Sequence, residues 1–250
     1  MLAKGTTALV TGGSGGIGSA LVRMLAGTGV HTVALSNDRE KLALLDGTAN
    51  VETVFMDVTD AEGLRQAFSE RQIDILVNAA GVLGVTGTLY SVPHASARHI
   101  VDVNVVGVHN CLSAVVPGMV ARNRGHVVNV GSLAGPYPSA GQPMYSASKA
   151  AIHNMSSNLR MELFGTDVRV TEIRPGRVRT GMHAEMFDGD HVRANELLYD
   201  PYECLHPEDI AEAIRYVLST PPHVCVAQIE VVPTHQVVGG TKMHQRAPAG

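Results

Sequence analysis

The sequence predicts an α/β fold, in which one doubly wound domain is built on a sheet of seven parallel strands. Short β-branched runs alternate with longer helical patterns from end to end, as in βαβ units. The predicted strands are apolar throughout rather than at alternate positions, which indicates that helices cover both faces of the sheet. The chain has 250 residues, 45% of them hydrophobic. No Pro/Gly/Ser-rich linker divides it, so residues 1–250 are expected to form a single domain.

Seven segments have strand character and six have helical character. The predicted strands are Thr6–Thr11, His31–Ser36, Val51–Met56, Ile73–Asn78, His126–Val130, Arg169–Arg174 and Gln228–Val232. The predicted helices are Gly16–Ala26, Arg39–Leu45, Asp60–Arg71, Ala95–Arg122, Tyr145–Leu163 and Glu208–Ser219. The third helix is expected to begin with a capping box at Thr59–Glu62. The fourth is expected to break near Asn104–Gly107, because glycine and β-branched residues weaken a helix there.

Composition excludes several classes of function. Charged residues make up 17% of the chain and the net charge is −4, which indicates an ordered domain without an electrostatic footprint for nucleic acid or a membrane surface. The first residues lack the features of a signal peptide, and no apolar run is long enough to predict a membrane span. Three scattered cysteines are expected to be thiols in a reducing cytoplasm. The twelve histidines form no metal-ligand spacing, so no metal site is predicted.

A glycine-rich turn, Thr11–Gly18, follows the first strand and leads into the first helix. Strand, glycine turn and helix in that order are the context of a Rossmann-type dinucleotide motif, in which the backbone approaches a pyrophosphate at the helix N-terminus. The glycines fit two registers. They match G-x-G-x-x-G at Gly13, Gly15 and Gly18, and T-G-x-x-x-G-x-G at Gly12, Gly16 and Gly18.

Three further segments lie at the ends of predicted strands, where ligands of open parallel sheets bind. Asp57 ends the third strand, and its carboxylate is expected to accept a hydrogen bond from an adenine amino group. Asn78–Gly81 ends the fourth strand and is expected to pass beside the adenosine ribose, although either segment alone also fits a helix cap or a turn. Pro175–Thr180 closes the sixth strand, where backbone amides and the Thr180 hydroxyl are expected to meet a nicotinamide carboxamide.

Tyr145 and Lys149 stand four residues apart on a predicted helix, so their side chains share one face. An ammonium close to a phenol favours the phenolate, so the pKa of Tyr145 is expected to fall toward the working pH. Such a tyrosine exchanges a proton with a carbonyl or alcohol oxygen, which the Ser132 hydroxyl is placed to hold. An ordinary helical pair with the lysine in solvent is the alternative.

Together these motifs resemble the short-chain dehydrogenase/reductase family, and the match covers nearly the full length. The matching residues are Thr11-Gly12-x-x-x-Gly16-x-Gly18, Asp57, Asn78-x-Ala80-Gly81, Asn104, Ser132, Tyr145-x-x-x-Lys149 and Pro175-Gly176. The resemblance implies that Tyr145 is the acid/base and that Ser132 orients and polarises the substrate oxygen. It implies that Lys149 binds the nicotinamide ribose and that Asn104 widens a helix turn and holds a water that links Lys149 to solvent. Ala79 departs from the family, which usually has a second asparagine there. The resemblance therefore implies that a hydrogen bond supporting the neighbouring strands is lost, which would affect stability rather than catalysis.

The cofactor-binding residues expected from the motifs and the resemblance form one set. They are Gly12, Ser14, Gly16, Ile17, Gly18, Ser36, Asn37, Arg39, Asp57, Val58, Asn78, Ala79, Gly81, Tyr145, Lys149, Pro175, Gly176, Val178 and Thr180. Ser36 and Asn37 occupy the positions that select the cofactor in the family, and neither is the acid that favours NAD or the base that favours NADP. Both can donate to a phosphate and Arg39 lies close by, whereas Asp38 would repel a phosphate unless it caps a helix. We therefore expect NADP(H), with NAD as the alternative.

The βα rhythm stops between Arg177 and His206, which predicts a substrate loop or lid over residues 177–206, with a disordered insertion as the alternative. Met182, His183, Met186 and Phe187 are expected to form its inner side. The candidate substrate residues are Arg174, Arg177, Arg179 and Met182. Guanidinium groups bind carboxylate, sulfonate or phosphonate, so an anionic substrate is one expectation. The alternative is that Arg177 and Arg179 point to solvent or pair with Glu172 or Asp188.

The resemblance implies reversible hydride transfer between NAD(P)(H) and a small carbonyl/alcohol substrate. The ending Ile229–Gln236 resembles the branch of NADP-dependent 3-hydroxy acid and serine dehydrogenases. Two other hypotheses are a catalytically silent dinucleotide-binding sensor or scaffold, and an epimerase or dehydratase that holds NAD tightly. Members of the family are commonly tetramers built on the two long helices, so a homo-oligomer, tetramer or dimer, is expected in the cytoplasm. Neither nucleic acid nor a membrane is an expected partner.

Overall fold

A seven-stranded parallel sheet is confirmed in the computed structural model, which describes residues 5–187, 189–237, 240 and 242–245. The strands lie in the order β3-β2-β1-β4-β5-β6-β7. Their bounds are β1 Thr7–Thr11, β2 His31–Ser36, β3 Val51–Phe55, β4 Ile75–Asn78, β5 Gly125–Val130, β6 Val168–Pro175 and β7 Gln228–Val231. The order reverses direction between β1 and β4, which creates the crevice at the carboxyl ends of the strands where such sheets bind ligands.

Helices connect successive strands and cover both faces. They are α1 Gly16–Gly27, α2 Arg39–Ala43, α3 Ala61–Phe68, α4 His94–Val101, α5 Gly107–Ala121, α6 Pro143–Glu162, α7 His191–Ala194 and α8 Pro207–Ser219. Shorter turns of other helical types are the π-helical segments Asp102–Val106 and Asn195–Tyr199 and the 3₁₀ helix Gly181–Phe187. The predicted lid therefore contains regular helical segments, and Val178 forms a parallel bridge with Leu205 across its base.

The strands are apolar throughout because successive side chains enter two different cores. Leu9 of β1 belongs to a core formed with α3, α5 and α6, whereas its neighbours Ala8 and Val10 belong to a core formed with α1, α2 and α8. All three side chains are fully buried. Burial on both faces is the physical reason that an uninterrupted apolar run forms a strand here.

The predicted break in the fourth helix lies at the π-helical segment Asp102–Val106, between α4 and α5. A Cβ atom on Gly107 would lie 2.6 Å from Cγ2 of Val58, so glycine allows the helix to approach the loop after β3. The combined stretch His94–Ala121 is long and apolar enough to cross a membrane by length and composition alone. However, 56% of its most apolar window is buried in the protein, as in a core helix.

The predicted capping box at the start of α3 is wrong. Asp60, not Thr59, is the N-cap, and its carboxylate accepts a hydrogen bond from the Gly63 amide at 2.9 Å. Glu62 instead binds Arg65 through two hydrogen bonds. Two N-cap candidates stand side by side in the sequence, and the aspartate takes the position because Asp57 accepts from the Thr59 hydroxyl at 2.7 Å.

Inter-strand support near Ala79 comes from two neighbouring side chains. The Thr11 hydroxyl accepts hydrogen bonds from the Ala79 and Ala80 amides at 3.2 and 3.3 Å. Asn78 on β4 donates to Asn129 on β5 at 2.8 Å. These contacts connect β1, β4 and β5 at the carboxyl edge of the sheet, where the family's second asparagine is replaced by alanine.

Candidate active site

A cleft of about 440 Å³ lies along the carboxyl edge of the sheet, where the strand order reverses. Most of the residues that the sequence predicted for cofactor, catalysis or substrate line it. The predicted residues found there are Gly12, Ser14, Gly16, Ile17, Gly18, Ser36, Asn37, Asp57, Val58, Ala79, Gly81, Ser132, Tyr145, Lys149, Pro175, Gly176, Val178, Thr180 and Met182. The predicted residues outside the lining are Arg39, Asn78, Asn104, Arg174, Arg177 and Arg179.

Each glycine of T-G-x-x-x-G-x-G stands where a side chain would meet a neighbouring atom at short range. Gly12 has a φ of +63°, and a Cβ there would lie 2.8 Å from the backbone of Ala80. A Cβ on Gly18 would overlap the carbonyl of Gly12, and one on Gly16 would lie 2.8 Å from Cγ2 of Thr180. These three glycines let β1, α1 and the segment after β6 approach closely. The turn therefore presents backbone at the N-terminus of α1, where the helix dipole favours an anion.

Polar side chains from β2 and β3 form one end of the cleft. The buried Ser36 hydroxyl lies 2.7 Å from the Ser14 hydroxyl, and Asn37 donates to Asp57 at 2.7 Å. Asp38 caps α2 by accepting from the Lys41 amide, and it also pairs with the Lys41 ammonium at 2.8 Å. The helix-cap role that the sequence allowed for Asp38 is thus the one the structure shows.

The expected cofactor role of Arg39 is not supported by its position. Its guanidinium carbon lies 4.0 Å from the centroid of the Phe55 ring, outside the cleft lining, where a cation–π contact holds it. Lys41, about half a turn further along α2, lines the cleft. Lys41 was not among the residues predicted for the cofactor. Because residues two apart on a helix do not share a face, Arg39 and Lys41 point in different directions.

Ser132, Tyr145 and Lys149 come together at the other end of the cleft. Ser132 follows β5, and the other two lie on the first turns of α6. The pKa of Tyr145 is raised above its ordinary value, contrary to the expected fall. Burial is the largest cause, the charge of Glu185 adds to it, and a hydrogen bond with Ser132 opposes it. The phenol therefore holds its proton at neutral pH.

Lys149 is buried beneath the Tyr145 ring. Its ammonium donates to the Val130 carbonyl oxygen at 2.9 Å and lies 5.7 Å from the ring centroid. Burial lowers the pKa of Lys149 to about 8, and the charge of Glu172 opposes this shift. The distance to the ring centroid allows a cation–π contact between the ammonium and the Tyr145 ring.

Comparison with known proteins agrees with this arrangement of cleft, turn and side chains. A family model described as short chain dehydrogenase matches residues 6–191. The chain belongs to the short-chain dehydrogenase/reductase family. It is accordingly an oxidoreductase that acts on a CH–OH group.

Three relatives cover nearly the whole dehydrogenase. The uncharacterized short-chain type dehydrogenase/reductase y4eK of Sinorhizobium fredii is 38% identical over 236 residues, which are 94% of each chain. The NADP-dependent 3-hydroxy acid dehydrogenase YdfG of Salmonella typhi is 37% identical and is matched over 95% of this chain and 98% of its own. A solved structure described as the closed form of serine dehydrogenase complexed with NADP+ is 34% identical, with a TM-score of 0.89 over 96% of this chain and 100% of that one.

Asn104 of this short-chain dehydrogenase lies behind the cleft, in the π-helical segment Asp102–Val106. Its amide oxygen accepts from the Val82 amide at 2.8 Å. Its amide nitrogen donates to the Val82 carbonyl at 2.8 Å and to the Ser148 hydroxyl at 3.0 Å. The widened turn that the resemblance implied is therefore present, and the side chain connects the loop after β4 to α6. The water relay remains a prediction.

The three candidate substrate arginines lie outside the cleft lining and have partners elsewhere in the dehydrogenase, so their substrate role remains a prediction without support from their positions. Arg174 is buried and pairs with Glu172 at 2.9 Å and with Glu230 at 3.3 Å. Arg177 donates to the Leu198 carbonyl at 3.1 Å, and Arg179 pairs with Asp200 at 2.9 Å. These guanidinium groups bind β6, β7 and the lid rather than the cleft. Of the partners expected for Arg177 and Arg179, Glu172 binds Arg174 instead, and Asp188 lies outside the described residues.

Four residues of the lid line the cleft without having been selected as site residues: Gly181, His183, Glu185 and His191. His183 was expected only as part of an inner lid surface. Glu185 accepts hydrogen bonds from the Leu83 and Gly84 amides at 3.0 and 2.9 Å, which joins the lid to the loop after β4. A glutamate in an irregular polar segment carries no periodic signal, so only its position after a strand end could have suggested it.

Proposed function

We propose that this enzyme catalyses reversible, NADP(H)-dependent oxidation of a small alcohol to a carbonyl compound. The observation that carries the proposal is the placement of Ser132, Tyr145 and Lys149 in one cleft with the glycine turn. The names of relatives support the cofactor, since YdfG is an NADP-dependent 3-hydroxy acid dehydrogenase and the serine dehydrogenase structure is described as complexed with NADP+. A catalytically silent sensor is not favoured, because such a module needs no acid/base tyrosine.

The cleft fits a dinucleotide on its own geometry. Side chains at Gly12, Gly16 and Gly18 would fill the turn, so the chain keeps backbone exposed there for a pyrophosphate. The Ser36 hydroxyl and Lys41 would hold a ribose phosphate, and Lys149 would hold the nicotinamide ribose. When bound, the nicotinamide ring supplies or accepts the hydride.

The protein's own groups manage the proton and the developing charge on the substrate oxygen. In reduction, the Tyr145 hydroxyl donates its proton to the carbonyl oxygen, and its raised pKa ensures that the proton is present. The Ser132 hydroxyl donates a hydrogen bond to the same oxygen as negative charge develops on it. In oxidation the phenolate accepts the alcohol proton, and the Lys149 ammonium stabilises that phenolate. Lys149 exchanges its proton readily, because its pKa is about 8.

We propose a small 3-hydroxy acid or the corresponding carbonyl acid as the substrate. The relative YdfG, a 3-hydroxy acid dehydrogenase, supports this class, and so does the likeness of the ending Ile229–Gln236. The arginines that first suggested an anionic substrate do not support it, since they bind other parts of the protein. Support for a carboxylate therefore rests on the relatives.

The Tyr145→Phe variant tests the proposed function. It keeps the ring but removes the proton, so turnover of NADPH with a panel of small carbonyl acids should fall about 100-fold or more. Binding of NADPH, measured by fluorescence titration, should stay close to that of the wild type. A variant that retains activity within about tenfold of the wild type excludes Tyr145 as the acid/base. Absence of turnover in the wild type across the panel supports the silent module.

We also propose that the enzyme is a cytoplasmic homo-oligomer, a tetramer or dimer. Large apolar side chains at the end of α6 support association, since Met161 is 68% and Phe164 is 93% exposed. Free thiols at Cys111, Cys204 and Cys225 support a reducing compartment. Light scattering of the purified enzyme tests the first proposal, and a monomer at working concentration contradicts it. Fractionation of the source cells tests the second.

A further inference from the structure

A C-terminal hairpin, in which residues 235–237 pair with residues 242–244, places a buried glutamine behind the segment that follows β6. Gln236 forms an antiparallel bridge with Met243, and the His244 amide donates to the His235 carbonyl at 2.9 Å. Only 7% of Gln236 is exposed, and it lies outside the lining of the cleft. Neither the proton transfer nor the glycine turn uses this side chain, so its partners indicate what it does.

The partners of Gln236 determine how its amide is oriented. The Arg177 backbone N–H donates to Oε1 at 2.9 Å, and Nε2 donates to the Gly240 carbonyl at 2.8 Å. Because a backbone N–H only donates and a carbonyl only accepts, these two partners admit one orientation of the amide. A single side chain thus connects the hairpin to the residue that follows Gly176.

Gly176 makes room for this contact. A Cβ atom there would lie 2.5 Å from Oε1 of Gln236 and 3.0 Å from Cδ of Pro233, so a side chain would push the glutamine away. The Gly176 amide itself donates to the Val231 carbonyl at 2.7 Å. Two successive N–H groups after β6 are therefore held, the first by β7 and the second by the hairpin.

The segment that Gln236 holds is part of the cleft, since Pro175, Gly176 and Val178 all line it. The Pro175 carbonyl accepts a hydrogen bond from the Leu133 amide at 3.1 Å, and Leu133 directly follows Ser132 in the chain. The segment therefore borders the reactive end of the cleft. A change in its backbone position would alter the surface that this end presents to a ligand.

We propose that Gln236 is a positioning residue for the nicotinamide end of the bound cofactor. Its amide holds the Arg177 N–H and thereby keeps the backbone from Pro175 to Val178 in place at the reactive end of the cleft. This inference rests on the proposed function, because it takes this segment as the binding surface for the nicotinamide carboxamide. The adenosine end of the cofactor would bind at the glycine turn and Ser36, so its contacts are independent of this hydrogen bond.

Gln236→Met tests the proposal, because methionine is similar in length to glutamine but its thioether is only a weak acceptor. Calorimetric titration should show that the Kd for NADP+ rises about tenfold, as expected when a partly buried donor loses its acceptor. The Kd for 2′-phospho-ADP-ribose, which keeps the adenosine end of NADP+ but lacks the nicotinamide, should stay within about twofold of the wild type. Gln236→Glu keeps an oxygen acceptor for the Arg177 N–H, so its Kd for NADP+ should stay within about threefold.

The matched control is Gln228→Met, the same exchange at an exposed position at the start of β7, which should leave both Kd values unchanged. Retained binding of the fragment shows that the Gln236→Met variant is folded. If that variant binds NADP+ and the fragment equally less tightly, or binds NADP+ as the wild type does, Gln236 does not position the nicotinamide end and the inference is wrong. If the wild type oxidises no small hydroxy acid with NADP+, the proposed function fails, whereas the two Kd values still decide the role of Gln236.

Discussion

The side-chain amide of Asn104 binds both backbone polar groups of Val82, accepting from its N–H and donating to its carbonyl, each at 2.8 Å. The same amide donates to Ser148, whose hydroxyl donates to the Tyr145 carbonyl at 2.7 Å. Asn104 is thus a positioning residue that connects the loop after β4 to the backbone of the reactive tyrosine. The π-helical turn brings this asparagine within reach of both partners.

Asn104→Ala should reduce both stability and kcat. It leaves the partly buried Val82 N–H and carbonyl without these partners, which costs up to about 1–3 kcal/mol for each unsatisfied group. Urea unfolding should show this loss as a lower midpoint. Because the Tyr145 backbone loses its connection to the loop, kcat should fall more than KM changes. If Asn104 only stabilised the fold, the Asn104→Ala variant would keep the wild-type kcat at a low temperature at which the variant remains folded.

Asn158→Ala is the matched control for that variant. Asn158 lies on an exposed face of the same helix α6 and donates to Asn154. Its loss should change stability by no more than about 0.5 kcal/mol and leave kcat unaffected. Equal effects of the two variants would show that asparagine loss in general, rather than the Val82 contact, causes the defect.

The sequence predicted all seven strands because their apolar runs report burial on both faces, as Leu9 and Val10 show by entering different cores. It predicted the reactive residues because Tyr145 and Lys149 are local neighbours on one helix. It did not predict the contact of Glu185 with Leu83 and Gly84, since about a hundred positions separate them. The sequence suggested Arg174 as a substrate residue, whereas its side chain binds Glu172 and Glu230. A position on a strand does not determine which carboxylate a long side chain reaches.

Lys41 should determine the preference for NADP+ over NAD+. Lys41→Gln removes a cation that lines the cleft together with Ser36, so the Kd for NADP+ should rise about tenfold because a charge-assisted contact to phosphate is lost. The Kd for NAD+, which lacks that phosphate, should stay unchanged. Fluorescence titration measures both constants without turnover.

Arg39→Gln is the charge-matched control for Lys41→Gln. Its guanidinium lies over the Phe55 ring, away from the cleft lining, so both Kd values should remain within about twofold of the wild type. If Arg39→Gln weakens NADP+ more than Lys41→Gln does, the arginine leaves Phe55 to bind the phosphate, and the original expectation for Arg39 is restored.

The pH profile of alcohol oxidation should move in opposite directions in two variants. Oxidation requires the Tyr145 phenolate, so kcat/KM should rise with pH. The charge of Glu185 raises the pKa of Tyr145, so Glu185→Gln should move the rise to lower pH. The hydrogen bond with Ser132 lowers that pKa, so Ser132→Ala should move the residual activity to higher pH. Shifts in the same direction for both variants would contradict this account of the phenol.

Acid should destabilise the fold through His126, which is fully buried at the start of β5. Its Nε2 atom lies 2.8 Å from the Thr171 hydroxyl, which donates its own proton to the Val226 carbonyl at 2.7 Å. Nε2 must therefore carry the imidazole proton, and the buried Nδ1 has no partner among the described residues. Burial, followed by the charge of Arg169, lowers the pKa of His126 from 6.5 to about 3.

The unfolded chain consequently binds one more proton than the folded chain between pH 6.5 and about 3. The contribution of His126 to the free energy of unfolding is fully present above pH 6.5. It decreases as the pH is lowered from 6.5 toward about 3. The slope approaches about 1.4 kcal/mol per pH unit, or about 2 kcal/mol between pH 7 and pH 5. His126→Leu removes this site, so urea unfolding at the two pH values should show a decline smaller by that amount. Equal declines in the two proteins would mean that His126 accepts its proton in the folded state, which the buried Nδ1 and the charge of Arg169 oppose.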